Sequence, residues 1–185
     1  MRITGGDFKG RIFYFPAASK ERPTSDFLRE ALFNLLDSLQ GKRFLDLFAG
    51  SGSVGMEAAS RGAEDVLLVE KNKKLAAVAA KNIKLLSLED KCKVVCADAE
   101  KALKDLAKKN YRADIIFADP PYNKNMVDVI LNRLSKYKVM DEEGEIVVQH
   151  SVKEVIKENY DEVLFQIKQK IYGENALTFF AGEWK

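Results

Sequence analysis

The chain has 185 residues, 46% of them hydrophobic and 31% charged, with a formal net charge of +2. That is enough apolar content for one full core, so a single domain over 1–185 is expected, and the lack of any run of about 18 apolar residues argues against a transmembrane helix. The N-terminus, Met1-Arg2-Ile3-Thr4-Gly5-Gly6, has no signal-peptide-like apolar stretch; Cys92, Cys96 and the single His150 leave no zinc set and predict core thiols in a reducing cytoplasm.

Residues 1–4 and 11–15 are short β-like runs around Gly5, Gly6 and Gly10, the pattern of a hairpin. Residues 1–22 hold Arg2, Lys9, Arg11, Lys20 and Arg22 against Asp7 and Glu21, a net +3 ahead of a near-neutral body. A basic arm of this kind suits a polyanion. Thr24 then reads as the N-cap of a helix. Its apolar residues Phe27, Leu28, Ala31, Leu32, Leu35, Leu36 and Leu39 recur every three to four positions until Gly41.

From residue 43 strands and helices alternate. The pattern predicts strands over 43–47, 65–69, 92–96, 113–118 and 145–149, and helices over 53–61, 73–86, 99–108, 125–135 and 152–157. Short apolar strands alternating with amphipathic helices build a parallel sheet covered on both faces. Residues 163–170 and 176–181, joined at Tyr172-Gly173-Glu174, break the rhythm as an antiparallel hairpin. The expected architecture is a doubly wound, mostly parallel α/β sheet, with a ligand crevice beyond the carboxyl ends of its central strands.

Two motifs carry chemistry. Gly50-Ser51-Gly52-Ser53-Val54-Gly55 fits a glycine turn between a strand and a helix, where backbone N–H groups approach a ligand closely. Asp46, at the strand end, would repel a pyrophosphate but favours the ammonium and sulfonium of S-adenosylmethionine. Glu70 ends the next strand at the spacing where an acid grips ribose hydroxyls. Asp98 follows the third strand, as an N-cap, as an acceptor for an adenine amine, or as both. The second motif, Asp119-Pro120-Pro121-Tyr122, follows the apolar run 113–118 directly. Two prolines cannot continue a central strand, so they form a stiff ledge. One carboxylate, free carbonyls and an aromatic ring are the parts needed to grip a flat ring bearing an exocyclic amine.

Asp46-x-Phe48-x-Gly50-x-Gly52 with the downstream Asp119-Pro120-Pro121-Tyr122 resembles the amino-methyltransferases that use S-adenosylmethionine. Arg2-Ile3-x-x-Gly6, Lys9-Gly10-Arg11, Arg22-Pro23-Thr24-x-Asp26, Arg29-Glu30-x-Leu32-Phe33-Asn34 and Leu45-Asp46-x-Phe48-Ala49-Gly50-Ser51-Gly52 further resemble the bacterial small-subunit rRNA guanine-N2 methyltransferases of the RsmD family. The resemblance covers nearly the whole chain. It implies a Rossmann-like class I methyltransferase with a seven-stranded sheet, an antiparallel C-terminal hairpin and an N-terminal hairpin extension. It also implies a 16S rRNA substrate, met during small-subunit assembly, and a cytoplasmic location; a monomer without metal is expected.

Carried onto this chain, the cofactor set is Asp46, Phe48, Ala49, Gly50, Gly52, Glu70, Lys71, Asp98 and Ala99. The catalytic set is Asp119, Pro120, Pro121 and Tyr122. Arg2, Lys9, Arg11, Arg22, Thr24 and Arg29 are the candidate RNA contacts, and His150 is expected to be structural. Three rival readings stand beside this one. A DNA adenine or cytosine amino-methyltransferase needs a target-recognition insertion, for which residues 122–145 leave little room. A non-catalytic assembly factor would lose the acids and glycines, and a nicotinamide oxidoreductase has no use for the ledge.

Overall fold

In the computed structural model, which describes residues 1–16, 25–121 and 125–184, the chain divides into two units, Met1–Ala97 and Asp98–Lys185. The first begins with the expected hairpin. Arg2 and Ile12 form an antiparallel bridge, and Ile3 N–H and Phe13 N–H donate to Arg11 O (2.9 Å) and Met1 O (3.0 Å). Alternation buries Ile3 and Phe13 and leaves Arg2, Ile12 and Tyr14 outside. The turn docks on the helix end at Ser60. Gly6 has φ +73°, and a Cβ there would fall 1.8 Å from Ser60 O, so no side chain fits.

Next come α1 (Asp26–Leu35), β1 (Arg43–Asp46), α2 (Ser53–Ser60), β2 (Asp65–Val69), α3 (Lys73–Leu85) and β3 (Cys92–Val95). The strands pair in parallel, in the order β3-β2-β1, with Phe44 opposite Val66 and Val66 opposite Cys92. Helix α2 is buried at all eight positions. Small residues permit this: a Cβ on Gly55 would lie 2.1 Å from Leu68 Cδ2.

The second unit holds α4 (Ala99–Lys108), β4 (Ala113–Ala118), α5 (Met126–Lys136), β5 (Met140–Ser151), β6 (Asn159–Tyr160), β7 (Leu164–Tyr172) and β8 (Asn175–Gly182). Its strand order is β4-β5-β8-β7-β6; β4 and β5 are parallel and the other pairs antiparallel. Two-residue β6 is the strand beyond the expected seven. Its Tyr160 is buried, donates its hydroxyl to the Asp128 carboxylate of α5, and sets its ring edge-on to Phe180 with centroids 5.8 Å apart.

Five local expectations need correction. Ser25, not Thr24, caps α1, its Oγ accepting from Leu28 N–H at 3.2 Å; Thr24 itself lies outside the described residues. The helix closes at Leu35, six residues before Gly41, and Phe27 is exposed rather than core. Residues 152–157 form turns and loop, not a helix. Their apolar spacing has no core to meet, since Val155 is 92% exposed, and so short a helix does not nucleate alone. Cys92 is buried, its thiol pushed up to about 12 by burial, but Cys96 lies past the end of β3 and is exposed. Among the described residues no helix is long and apolar enough to cross a membrane.

Candidate active site

The glycine turn is built where β1 and β2 end. Ala49 N–H donates to Val69 O (3.0 Å), and Gly52 N–H donates back to Ala49 O (2.7 Å). Gly50 (φ +54°) and Gly52 (φ +87°) take the left-handed region, and Gly52 caps α2 without a side chain. Two buried carboxylates bracket this turn. Glu70 accepts from Gly50 N–H (2.9 Å) and Asn72 N–H (2.7 Å), and Asp46 accepts from Phe48 N–H (3.3 Å).

Acids placed here disfavour an anionic ligand and favour one carrying positive charge and hydroxyl donors. A Cβ on Gly50 would meet nothing within 4 Å, so the turn opens onto space a ligand can fill. Phe48 is half-buried, Ala49 buried, and Lys71 exposed, its carbonyl accepting from the Cys96 thiol at 4.0 Å. With two acids among them, these residues are unsuited to a pyrophosphate. The open groove of about 430 Å³ between α3 and β3, lined by Lys73, Ala76, Ala77, Ala80, Val94 and Cys96, includes none of them.

Sequence reasoning missed Asn82. It is buried on α3, and its amide clamps Tyr14 by accepting from Tyr14 N–H (2.9 Å) and donating to Tyr14 O (2.8 Å). The same Nδ2 donates to Ser51 O at 3.0 Å, tying the hairpin's second strand to the glycine turn. The available signal was a polar residue within the apolar stripe of α3.

Arg29, expected at an RNA surface, is fully buried and cannot meet one. Its Nε donates to Glu57 (3.2 Å), and its Nη2 donates to Arg2 O (2.6 Å) and Asp26 (3.0 Å). The other described cations of that set stay outside. Lys9 is exposed, Arg2 has 69% of its side chain exposed, and Arg11 donates to Leu86 O (3.2 Å) while lying over the Phe8 ring. Arg22 lies outside the described residues.

In the second unit Asp98 caps α4, its carboxylate accepting from Glu100 N–H at 3.0 Å, and Ala99 is buried behind it. Asp119 follows β4 directly and is half-buried, Pro120 is buried and Pro121 exposed; Tyr122 lies outside the described residues. Gln149 on β5, also missed from sequence, donates Nε2–H to Asp119 Oδ2 at 3.2 Å. Next to it His150 is buried and doubly bonded, to Ser151 O and Thr178 Oγ1, both at 2.8 Å. Burial lowers its pKa, against smaller upward pulls from Ser151 O and Glu154. It is structural.

An α/β fold with acids bracketing its first glycine turn places the chain among the class I S-adenosylmethionine-dependent methyltransferases, and S-adenosylmethionine is the cofactor of that class. Within the class, the family described as "Conserved hypothetical protein 95" matches residues 1–181, and the chain belongs to it, the RsmD family. "Putative rRNA methyltransferase YlbH" of Bacillus subtilis (strain 168) is 34% identical over 181 residues, which cover 97% of this chain and 98% of that one. "Ribosomal RNA small subunit methyltransferase D" of Escherichia coli (strain K12) is 34% identical over 153 residues, 82% of this chain and 75% of the relative. The solved "Putative methyltransferase yhhF" from Escherichia coli superposes with a TM-score of 0.85 at 30% identity, covering 99% of this chain and 98% of that one.

Proposed function

We propose that this chain transfers a methyl group from S-adenosylmethionine to the exocyclic N2 amine of a guanine in small-subunit rRNA. The observation that carries the reading is Asp119, a carboxylate at the carboxyl end of a parallel strand, followed by two prolines and held by a buried amide. The rRNA substrate is supported by relatives bearing rRNA methyltransferase names over most of this chain. In this reading residues 23–185 act as one catalytic domain in the cytoplasm, and residues 1–22 as its RNA-contacting extension.

Asp46 and Glu70 hold the cationic and hydroxyl-bearing parts of the methyl donor, with Asp98 serving its adenine amine as well as the helix cap. The donor supplies a methyl already activated on a sulfonium. The protein's own task is alignment. An exocyclic amine is a poor nucleophile because its lone pair is delocalised into the base. Asp119 and the Pro120 carbonyl accept its two hydrogens, favouring a pyramidal nitrogen aimed at the methyl. As positive charge grows on nitrogen, the carboxylate stabilises it. The proton leaves afterwards, so no histidine base is needed. Tyr122 is assigned, from its sequence position, to stack on the exposed base. Arg2, Lys9 and Arg11 contact the RNA backbone.

The test is incubation with labelled S-adenosylmethionine and 16S rRNA, with and without small-subunit proteins, followed by mass-spectrometric mapping. Methyl on guanine N2 is expected; methyl on another base overturns the guanine assignment. Asp119→Ala should lower kcat by at least about 10²–10³-fold with cofactor affinity by calorimetry unchanged. Full turnover in that variant removes Asp119 from the mechanism. Replacing Arg2, Lys9 and Arg11 together by Ala should weaken RNA binding and flatten its salt dependence; an unchanged slope takes the hairpin off the RNA surface.

A further inference from the structure

Strand β5 changes character at its carboxyl end. Ile146, Val147 and Val148 are buried apolar residues, and the next, Gln149, is polar yet only 4% exposed. Ala118 of β4 pairs with Val148, so Gln149 and Asp119 stand level, each one residue past that pair on adjacent parallel strands. Its Nε2 donates to Asp119 Oδ2 at 3.2 Å. The other end of the amide, Oε1, is buried with no hydrogen-bond partner among the described residues. On its other flank Gln149 pairs with Leu177 of β8, which is fully buried.

A buried acceptor without a partner is unfavourable, and Met or Leu fills a similar volume without creating one. Packing therefore does not account for an amide at position 149. A donor aimed at Asp119 does.

We propose that Gln149 is a positioning residue for methyl transfer, its amide fixing the plane in which the Asp119 carboxylate meets the substrate amine. This rests on the reading of Asp119 as the amine's acceptor. The terminal torsion of an aspartate is broad, so an unanchored carboxylate samples many acceptor directions. The bond to Oδ2 narrows that freedom before the substrate arrives. Preorganisation of this kind acts on the transition state more than on ground-state binding, so its loss appears in kcat. No proton and no covalent bond passes through Gln149.

The experiment uses the full chain and four proteins: wild type, Gln149→Met, Gln149→Leu and Asp119→Asn. Each is assayed with labelled S-adenosylmethionine on 16S rRNA, with and without small-subunit proteins, and each is melted. For Gln149→Met we expect kcat to fall at least 10-fold, KM for both substrates to stay within 2-fold, and Tm to hold or rise. Loss of activity in step with a fall in Tm, repeated in Gln149→Leu, assigns Gln149 to packing and overturns the proposal. So does wild-type kcat in both Gln149 variants while Asp119→Asn is inactive, which leaves the role of Asp119 standing. Wild-type kcat in Asp119→Asn, or no turnover by the wild type on either substrate, overturns the reading beneath both.

Discussion

Glu57 in the first unit and Gln149 in the second are both buried polar side chains, but their bonding differs. Glu57 has four donors: Thr4 N–H and Arg29 Nε on one oxygen (2.8 and 3.2 Å), Thr4 Oγ1 and Arg61 Nε on the other (2.8 and 2.9 Å). It joins α1, α2 and the hairpin, and leaves no lone pair unused. Among the described residues the Gln149 side chain makes one bond, to the residue that follows β4, and leaves its acceptor unpaired. A fully connected polar network rigidifies a fold, whereas a half-connected one is less stable than an apolar core. The first arrangement is explained by architecture alone; the second is explained by the role proposed for Asp119.

The contrast is open to a direct break. Glu57→Ala removes one of the two carboxylates paired with Arg29, whose side chain is 0% exposed and which keeps Asp26 at 3.0 Å, and strips Thr4 and Arg61 of their shared acceptor; breaking a buried network of this kind should cost about 3 kcal/mol. Chemical denaturation reads it as a lower midpoint. A loss below about 1 kcal/mol would mean that the network contributes little and that satisfaction is no guide to role. Gln149→Met lies at the opposite pole, with stability kept and turnover lost. If both variants lose stability alike, the distinction between scaffold and site fails.

Much of this was legible in the sequence. The strands over β1–β4 and the helices α2–α5 follow from apolar period, and the Asp98 cap and glycine turn from local chemistry. Three residues that hold the structure together, Arg29, Asn82 and Gln149, are polar and were given no buried role. Arg29 recurs with Leu32 and Phe33 on the buried face of α1, so its helical position was correct and only its charge misled. Asn82 shares the buried stripe of α3 with Leu75, Ala79 and Ile83. Gln149 extends the run of Ile146, Val147 and Val148. In each case the partner that makes burial tolerable comes from a distant segment: Glu57, Tyr14 or Asp119. Period places such residues inside, but pairing across 28 to 68 positions is set by the tertiary fold. Residues 152–157 fail the other way, with a helical period and no surface to bury against.

His150 supplies the smallest expected effect and the finest test of the contrast, because it neighbours Gln149 yet is fully bonded. Ser151 O can only accept, so Nδ1 carries the proton and Nε2 accepts from the Thr178 hydroxyl, which in turn accepts from Gln169 Nε2 at 2.9 Å. Burial holds the imidazole neutral by lowering its pKa from the ordinary 6.5, while Ser151 O and Glu154 pull weakly the other way. The unfolded chain therefore binds the proton more readily than the folded one. The stability contribution is complete above pH 6.5 and is lost as pH falls from there through the lowered folded value. Urea unfolding of wild type and His150→Gln, compared at pH 8 and pH 5.5, should show the wild type losing more stability on acidification. Equal losses would remove the imidazole from the pH response. The same variant should keep its kcat at pH 8, since a fully satisfied side chain beside Gln149 acts on the fold and not on Asp119.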